Sequence, residues 1–399
     1  MTNKEEYIRK IIEIGLKPNE YNNVIIISYT NIDTAKEMFL KLKDEYHIDQ
    51  MIFLDKDQEK LYNFLKTNPS KEEIEKYVPR MPKLKDPCRT KIIYNYPSYY
   101  EDYPKKISKE YRELRSIYDT YDKMYNEEYF LLKKNREQFM ITIIPEESWS
   151  NHLLGSPDKE DELWELVNRT VPNVDEYREY IKKKLEIKDY LQKSRIKNLT
   201  IYTNLGTDFR IGLTGRSLWT CEPEVQRGKE FSYNFPSYEI FTAPDCYSGE
   251  GKIVLARPSM FFGEKVTKGE FTFNKGKCIN LDTDNEYANK VILNEKNNLN
   301  RIGEIAMVSN DSPIARIGKN FDSLILDENA GCHFALGYAI DDSIDLDKPS
   351  MLLSGKKKYH FNDSRWHHDF VFGNDSVTVE ADLGRNRKIL LLENGTWKI

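Results

Sequence analysis

The sequence predicts two domains: an α/β domain with a mostly parallel sheet over residues 1–196, then a mainly antiparallel β (α+β) domain over 197–399. Three observations predict it. The 399 residues exceed the ~250–300 at which a single hydrophobic core stops growing. In the first half apolar strand-like runs alternate with helical patterns, the signature of an α/β layer. After Lys197 helical periodicity nearly vanishes, and Gly, Asn and Asp punctuate short runs of Val, Ile, Phe and Thr, which is strand and turn composition.

The elements follow in order. Residues 23–28 form a continuous apolar run ending in Ser28, as a strand buried on both faces does. Ala35, Met38, Phe39 and Leu42 recur at helical spacing over 33–43. Further strands are expected over 51–54, 91–94 and 139–144. Amphipathic helices close the domain over 160–167, with Leu163, Trp164 and Leu166, and over 175–193, with Tyr177, Tyr180, Ile181, Leu185 and Leu191. In the second domain, strands are expected over 199–203, 208–213, 252–255, 270–273, 304–308 and 377–381. No repeat period is visible.

Composition excludes several classes. The charged fraction is 31%, Lys+Arg 60 nearly balances Asp+Glu 65, and the net charge is −5. That argues against the broad basic field needed to bind nucleic acid or an anionic membrane. The interleaved tyrosines and basic residues of 94–129 could stack bases, but Leu114, Tyr118, Tyr121 and Tyr125 fall on one helical face, as a packing stripe would. The runs Lys182-Lys183-Lys184 and Lys356-Lys357-Lys358 read as solvated faces. No apolar run spans a bilayer and the start MTNKEEYIRK lacks a signal-peptide core, so a cytoplasmic location is expected. The five cysteines are scattered without a CxxC pair and are expected as free thiols. Leu205-Gly206-Thr207-Asp208 lacks the second glycine and the lysine of a phosphate loop.

The chemistry concentrates late in the chain, where four of six histidines occupy the last 70 residues. Glu328 and His333 lie five positions apart across Ala330-Gly331, which permits a turn aiming both at one point. In His367-His368-Asp369, strand alternation puts His367 and Asp369 on one face and His368 on the other. His368 is then either a solvent residue or a supporting partner of the ligands, and His360 is structural. Glu239 and Glu304 sit in apolar, strand-like contexts, where a carboxylate is costly unless paired or metal-bound. Several such acids beside histidines suggest a cation, and imidazole with carboxylate suits zinc, cobalt or manganese.

These residues carry a family resemblance. The string Asn234-Phe235-Pro236-Ser237-Tyr238-Glu239-Ile240-Phe241-Thr242-Ala243-Pro244-Asp245 resembles the NxPxxExFTAPD signature of the thermophilic-type metalloaminopeptidases, the aminopeptidase T, aminopeptidase S and PepS family. Gly206-Thr207-Asp208, Arg301-Ile302-Gly303-Glu304, Asp311-Ser312-Pro313, Asp327-Glu328-Asn329-Ala330, Cys332-His333-Phe334-Ala335-Leu336-Gly337 and Ser364-Arg365-Trp366-His367-His368-Asp369-Phe370 follow in the family's order. The likeness is dense over about 200–375. It implies two divalent metal ions per chain held by Glu239, Glu304, Glu328, His333, His367 and Asp369, with Glu304 as the bridge and a catalytic residue. It also implies hydrolysis of the first peptide bond of substrates with a free N-terminus, and a homodimer.

Two departures stand out. Where the family often has Thr-Glu before the ligand Glu, this chain has Ser237-Tyr238, and Glu250 on the following turn is the candidate substitute. Where the family tends to carry a Tyr, this chain has Ile340, with Tyr338 on the same face of an extended strand. Tyr338 is therefore the second catalytic candidate. These departures motivate an alternative: a metal- or peptide-binding protein of the same fold with lost or altered turnover.

Overall fold

The computed structural model describes residues 1–399 apart from 17–22, 31–34, 37–39, 41–47, 97–108, 128–138, 227–228, 263, 295–297 and 347–351. The chain forms two compact units. One comprises Met1–Val174 with Pro223–Pro236, the other Asp175–Glu222 with Ser237–Ile399.

In the first unit four strands form one all-parallel sheet in the order Gln50–Asp55, Asn23–Ser28, Thr90–Tyr96, Phe139–Ile143. Every residue of Asn23–Ser28 is buried, because helical connections cover both faces of a parallel sheet; hence the unbroken apolar run. Ile25, Ile27, Ile52, Leu54, Ile92 and Tyr94 make one buried layer. The connecting helices carry their own start signals: Asp57 caps Gln58–Lys66, and Ser70 with Glu73 forms a capping box on Lys71–Tyr77. The tyrosine stripe is packing. Tyr111, Leu114, Tyr118, Tyr121 and Tyr125 of Lys109–Tyr125 pack with Leu61, Leu65, Ile74 and Val78. The helix expected over 33–43 falls largely outside the described residues, as does much of 94–129 beyond this helix.

Among the described residues the second unit holds two large antiparallel sheets beside a two-stranded pair, Ser259–Phe261 with Glu264–Val266. The larger has eight strands, in the order Lys277–Thr283, Gly269–Asn274, Glu250–Val254, Asp208–Gly212, Asn198–Tyr202, Thr378–Gly384, Arg387–Glu393, Thr396–Trp397. The smaller runs His367–Val371, His333–Gly337, Ile302–Met307, Ile240–Thr242. An aromatic core joins them. Phe271 meets Phe334 at 5.2 Å and Phe370 at 5.1 Å. The helix Val174–Ser194 belongs to this unit, since Leu191 lies in its core. The compact units therefore divide ahead of the helix, whereas composition changes after it. Among the described residues no helix is long and apolar enough to cross a membrane.

Candidate metal centre

The four-stranded sheet presents one face to the aromatic core and the other to a cluster of acids and imidazoles. Alternation assigns the faces. Phe334, Leu336 and Phe370 enter the core, so His333, Ala335, His367 and Asp369 face the other way. The same rule would put Ile302 and Glu304 on one side, but a β-bulge intervenes: Ile302 pairs with Leu336 while Glu304 pairs with Ala335. The extra residue turns Ile302 into the core and Glu304 out of it. It has to be Gly303. A Cβ there would meet the Gly337 and Tyr338 carbonyl oxygens at 2.4 and 2.6 Å. Across the sheet Ala335 lies between Glu304 and Asp369, a small floor that leaves room above it.

Two groups of candidate ligands result, Glu239 with Glu304 and His333, and Glu304 with His367 and Asp369. In each the offered atoms lie within 4.8 Å of one another. Glu304 belongs to both: its Oε1 is 3.7 Å from His333 Nε2 and its Oε2 is 3.9 Å from His367 Nε2. His333 Nε2 lies 2.9 Å from Glu239 Oε2, and His367 Nε2 3.3 Å from Asp369 Oδ1. The opposite ring nitrogens are fixed by backbone. His333 Nδ1 donates to the Gly331 carbonyl at 3.1 Å and His367 Nδ1 to the Tyr338 carbonyl at 2.7 Å. Each Nε2 is thereby aimed into the cluster, the arrangement that orients metal-ligating histidines.

The polar atoms inside are buried and poorly aligned with one another. Glu304 Oε2, His333 Nε2 and Asp369 Oδ1 have no hydrogen-bond partner, although their neighbours are near. Orphaned donor atoms converging in a buried site fit a cation, and two oxygens with one nitrogen in each group fit a divalent ion of the zinc, cobalt or manganese kind. Only His367 offers appreciable access, its side chain 25% exposed against 1–7% for His333, Glu304, Glu239 and Asp369.

Without a cation, protons take its place. Burial, the largest influence, pushes Glu304 up to about 6, with His333 opposing. Burial likewise raises Glu328 well above the carboxylate range, reinforced by Glu239 and Asp369. Burial would depress both imidazoles, but the carboxylates more than reverse it. His367, beside Asp369, rises to about 10, and His333 rises well above its ordinary value through Glu239 and Glu304. For Asp369, burial is outweighed by His367 and His333, and its pKa falls.

Five of the six expected ligands thus converge directly. Glu328, closing the short helix Leu324–Glu328, is buried and interacts electrostatically with Glu239, Asp369, His333 and Glu304, but it is in neither group. Asn329 ties it to the Glu239 loop, accepting from Tyr238 N–H at 2.5 Å while its Nδ2 lies 3.4 Å from Glu328 Oε1. His368 is half-buried, on the face of its strand opposite His367 and Asp369. It packs between Phe261 and Phe262 at 4.7 and 4.2 Å, its Nδ1 has no partner, and burial presses its pKa to about 4. His360 is structural, paired with Asp245 at 3.3 Å.

Glu250 does not replace the missing carboxylate: it is exposed on the eight-stranded sheet and accepts from Lys275 N–H. Tyr238 is buried instead in edge-to-face contact with Tyr180 and Tyr177. The strand ends at Gly337, so Tyr338 and Ile340 do not share the face of an extended strand. The Tyr338 hydroxyl donates to Asp341 at 2.6 Å, and its carbonyl holds His367.

Sequence reasoning missed three buried groups. Glu222 is buried, and Lys184, also buried, donates to the Ser237 carbonyl at 2.8 Å, two residues before Glu239. Burial pulls Lys184 below the usual lysine value, against the influence of Cys221, Glu222 and Glu239. Lys356 is buried too. The sequence predicts a solvated face for each basic run, yet each hides one lysine among exposed neighbours. The run at 182–184 carried a signal, since Lys184 falls at helical spacing with Tyr177, Tyr180, Ile181 and Leu191 on a face that must pack.

A family model described as thermophilic metalloprotease (M29) matches residues 2–397. Aminopeptidase 2 of Geobacillus stearothermophilus is 26% identical over 274 residues, 66% of each chain. Aminopeptidase T of Thermus aquaticus is 30% identical over 198 residues, 49% of this chain and 47% of that protein. These alignments span between about half and two thirds of the curated relatives. The structure of wild-type AmpT from Thermus thermophilus superposes with a TM-score of 0.80 over 100% of this chain and 99% of that one, at 19% identity, which establishes a shared fold.

Proposed function

We propose, from the premise that this chain belongs to the thermophilic metalloprotease family (M29), that it is an aminopeptidase with a two-ion site. One divalent ion is assigned to Glu239, Glu304 and His333 and the other to Glu304, His367 and Asp369, with Glu328 completing the set. The observation that carries this reading is Glu304, whose two carboxylate oxygens each face a different imidazole. When bound, the ions supply an acidified water and a Lewis acid for the scissile carbonyl.

The chain's own residues do the rest. Gly331 and Tyr338 carbonyls fix the imidazole tautomers. In the metal-free protein burial raises Glu304 and Glu328, so each would exchange a proton for an ion on loading. The neutral α-amino group of a peptide with a free N-terminus would be a suitable additional ligand at such a site. Glu304 remains the catalytic assignment; Tyr338, whose phenol donates to Asp341, is assigned a positioning role through the carbonyl that orients His367.

The test is chelation to complete metal loss followed by assay of aminoacyl anilide hydrolysis. Activity is expected to vanish and to return with zinc, cobalt or manganese; activity without metal overturns the reading. A second reading rests on Tyr238 and Ile340: the same fold binds metal or peptide without turnover. It requires two bound ions per chain and no release of N-terminal residues from a broad peptide panel. Homodimerisation and a cytoplasmic setting belong to the proposal too, and light scattering at twice 47.1 kDa is the expected result for the first.

A further inference from the structure

We infer that Lys356 is a positioning residue for one of the two ion sites, acting through the turn that aims His367. The inference rests on the metal reading above.

Lys356 is 1% exposed, in a basic run whose other members are exposed. A lysine is buried at that level only where its charge is paired. Its Nζ donates to the Ala339 carbonyl at 2.7 Å, meets Asp341 Oδ1 at 2.8 Å and lies 3.2 Å from the centroid of the Tyr338 ring. The Tyr338 hydroxyl donates to the same Asp341 oxygen. One cation therefore touches three residues of a single short turn, 338–341.

That turn matters because of the Tyr338 carbonyl, which accepts from His367 Nδ1 at 2.7 Å. Moving it rotates the imidazole and carries Nε2 away from Glu304 and Asp369. The turn has other anchors. Tyr338 N–H donates to the Trp366 carbonyl, Ala339 N–H to the Asn362 carbonyl, and Asn362 Nδ2 to the Gly337 carbonyl. Ala339 N–H shares one planar peptide with the Tyr338 carbonyl, so loss of Lys356 leaves that carbonyl tethered through Asn362 and removes the restraints on either side of it, at the Tyr338 ring and the Ala339 carbonyl. His333 does not depend on this device, since its Nδ1 is held by Gly331, two residues away. The consequence is selective: the group of Glu304, His367 and Asp369 loses alignment while that of Glu239, Glu304 and His333 keeps it.

The experiment titrates cobalt(II) into the metal-free chain of residues 1–399, read by visible absorption and calorimetry, with the thermal midpoint of each metal-free variant measured beside it. Wild type is expected to take two ions. Lys356→Met, which keeps the methylene stem, is expected to bind one ion as wild type does and the other ~10–100-fold more weakly, the usual effect of losing a partner that orients a ligand. Lys358→Ala is expected to match wild type. If Lys356→Met does not fold, Asp341→Asn, altered on the more exposed side of the pair, should weaken the same ion by a smaller factor. Unchanged binding of both ions in the folded variant overturns the inference, as does equal weakening of both. A wild-type chain that takes no cobalt overturns the metal reading itself, and the inference with it.

Discussion

At the scale of single residues, adjacent histidines have opposite fates. His367 faces Glu304 and Asp369, whereas His368 sits in an aromatic nest. Glu304→Gln, nearly isosteric, removes the charge common to both groups; we expect loss of both ions and at least a ~100-fold fall in peptide hydrolysis, above the usual effect of disturbing a ligand's support. His368→Ala should retain both ions and lower the thermal midpoint, since emptying a packed aromatic site costs about 1–3 kcal/mol. Metal analysis of the two variants decides the matter: ion loss in His368→Ala would reverse the assignment.

The proton on His367 gives a pH dependence with a definite sign. Its pKa in the folded, metal-free protein is raised to about 10 from the ordinary 6.5. The stability it contributes is therefore complete below about 6.5 and is lost as pH rises through 10. A metal ion competes with the same proton, so its apparent affinity should climb over that window with proton release on binding. Calorimetry in buffers of different ionisation enthalpy measures both. An affinity flat between pH 7 and 9 would contradict it.

At the scale of elements, the site depends on a bulge that shifts alternation by one. Gly303→Ala places a Cβ against two carbonyl oxygens of the neighbouring turn, and relief by a register slip would turn Glu304 toward the core. We expect a loss of at least ~2 kcal/mol together with reduced metal content, read by denaturant melts and metal analysis; a variant with wild-type values in both would mean the strand tolerates a straight register. Period-2 reasoning could separate His367 from His368 because their strand is regular, and unbroken apolar runs announced the parallel sheet. It could not see the bulge, which adds a residue without altering composition. Nor could it see Lys184, Lys356 or Glu222, because long charged side chains look alike in sequence whether they point to solvent or reach a buried carbonyl. Glu250 failed for a related reason: closeness in sequence to Glu239 says nothing about which sheet the next strand joins.

At the scale of the whole molecule, all six expected ligands belong to the second unit, and five of them sit on strands or a helix end of one small sheet region. Metal loading should therefore stabilise that unit in particular. An ion present at 100 times its dissociation constant adds about 2.7 kcal/mol per site if it does not bind the unfolded chain. Hydrogen exchange resolves where that energy goes. On chelation, amides of His333–Gly337 and His367–Val371 should lose protection, because the imidazoles and carboxylates they carry are left to balance one another with protons alone. Amides of Asn23–Ser28, in the parallel sheet of the first unit, should exchange as before. Uniform loss across both units would mean that they unfold as one cooperative body, and unchanged exchange in both would deny that the cluster holds metal at all.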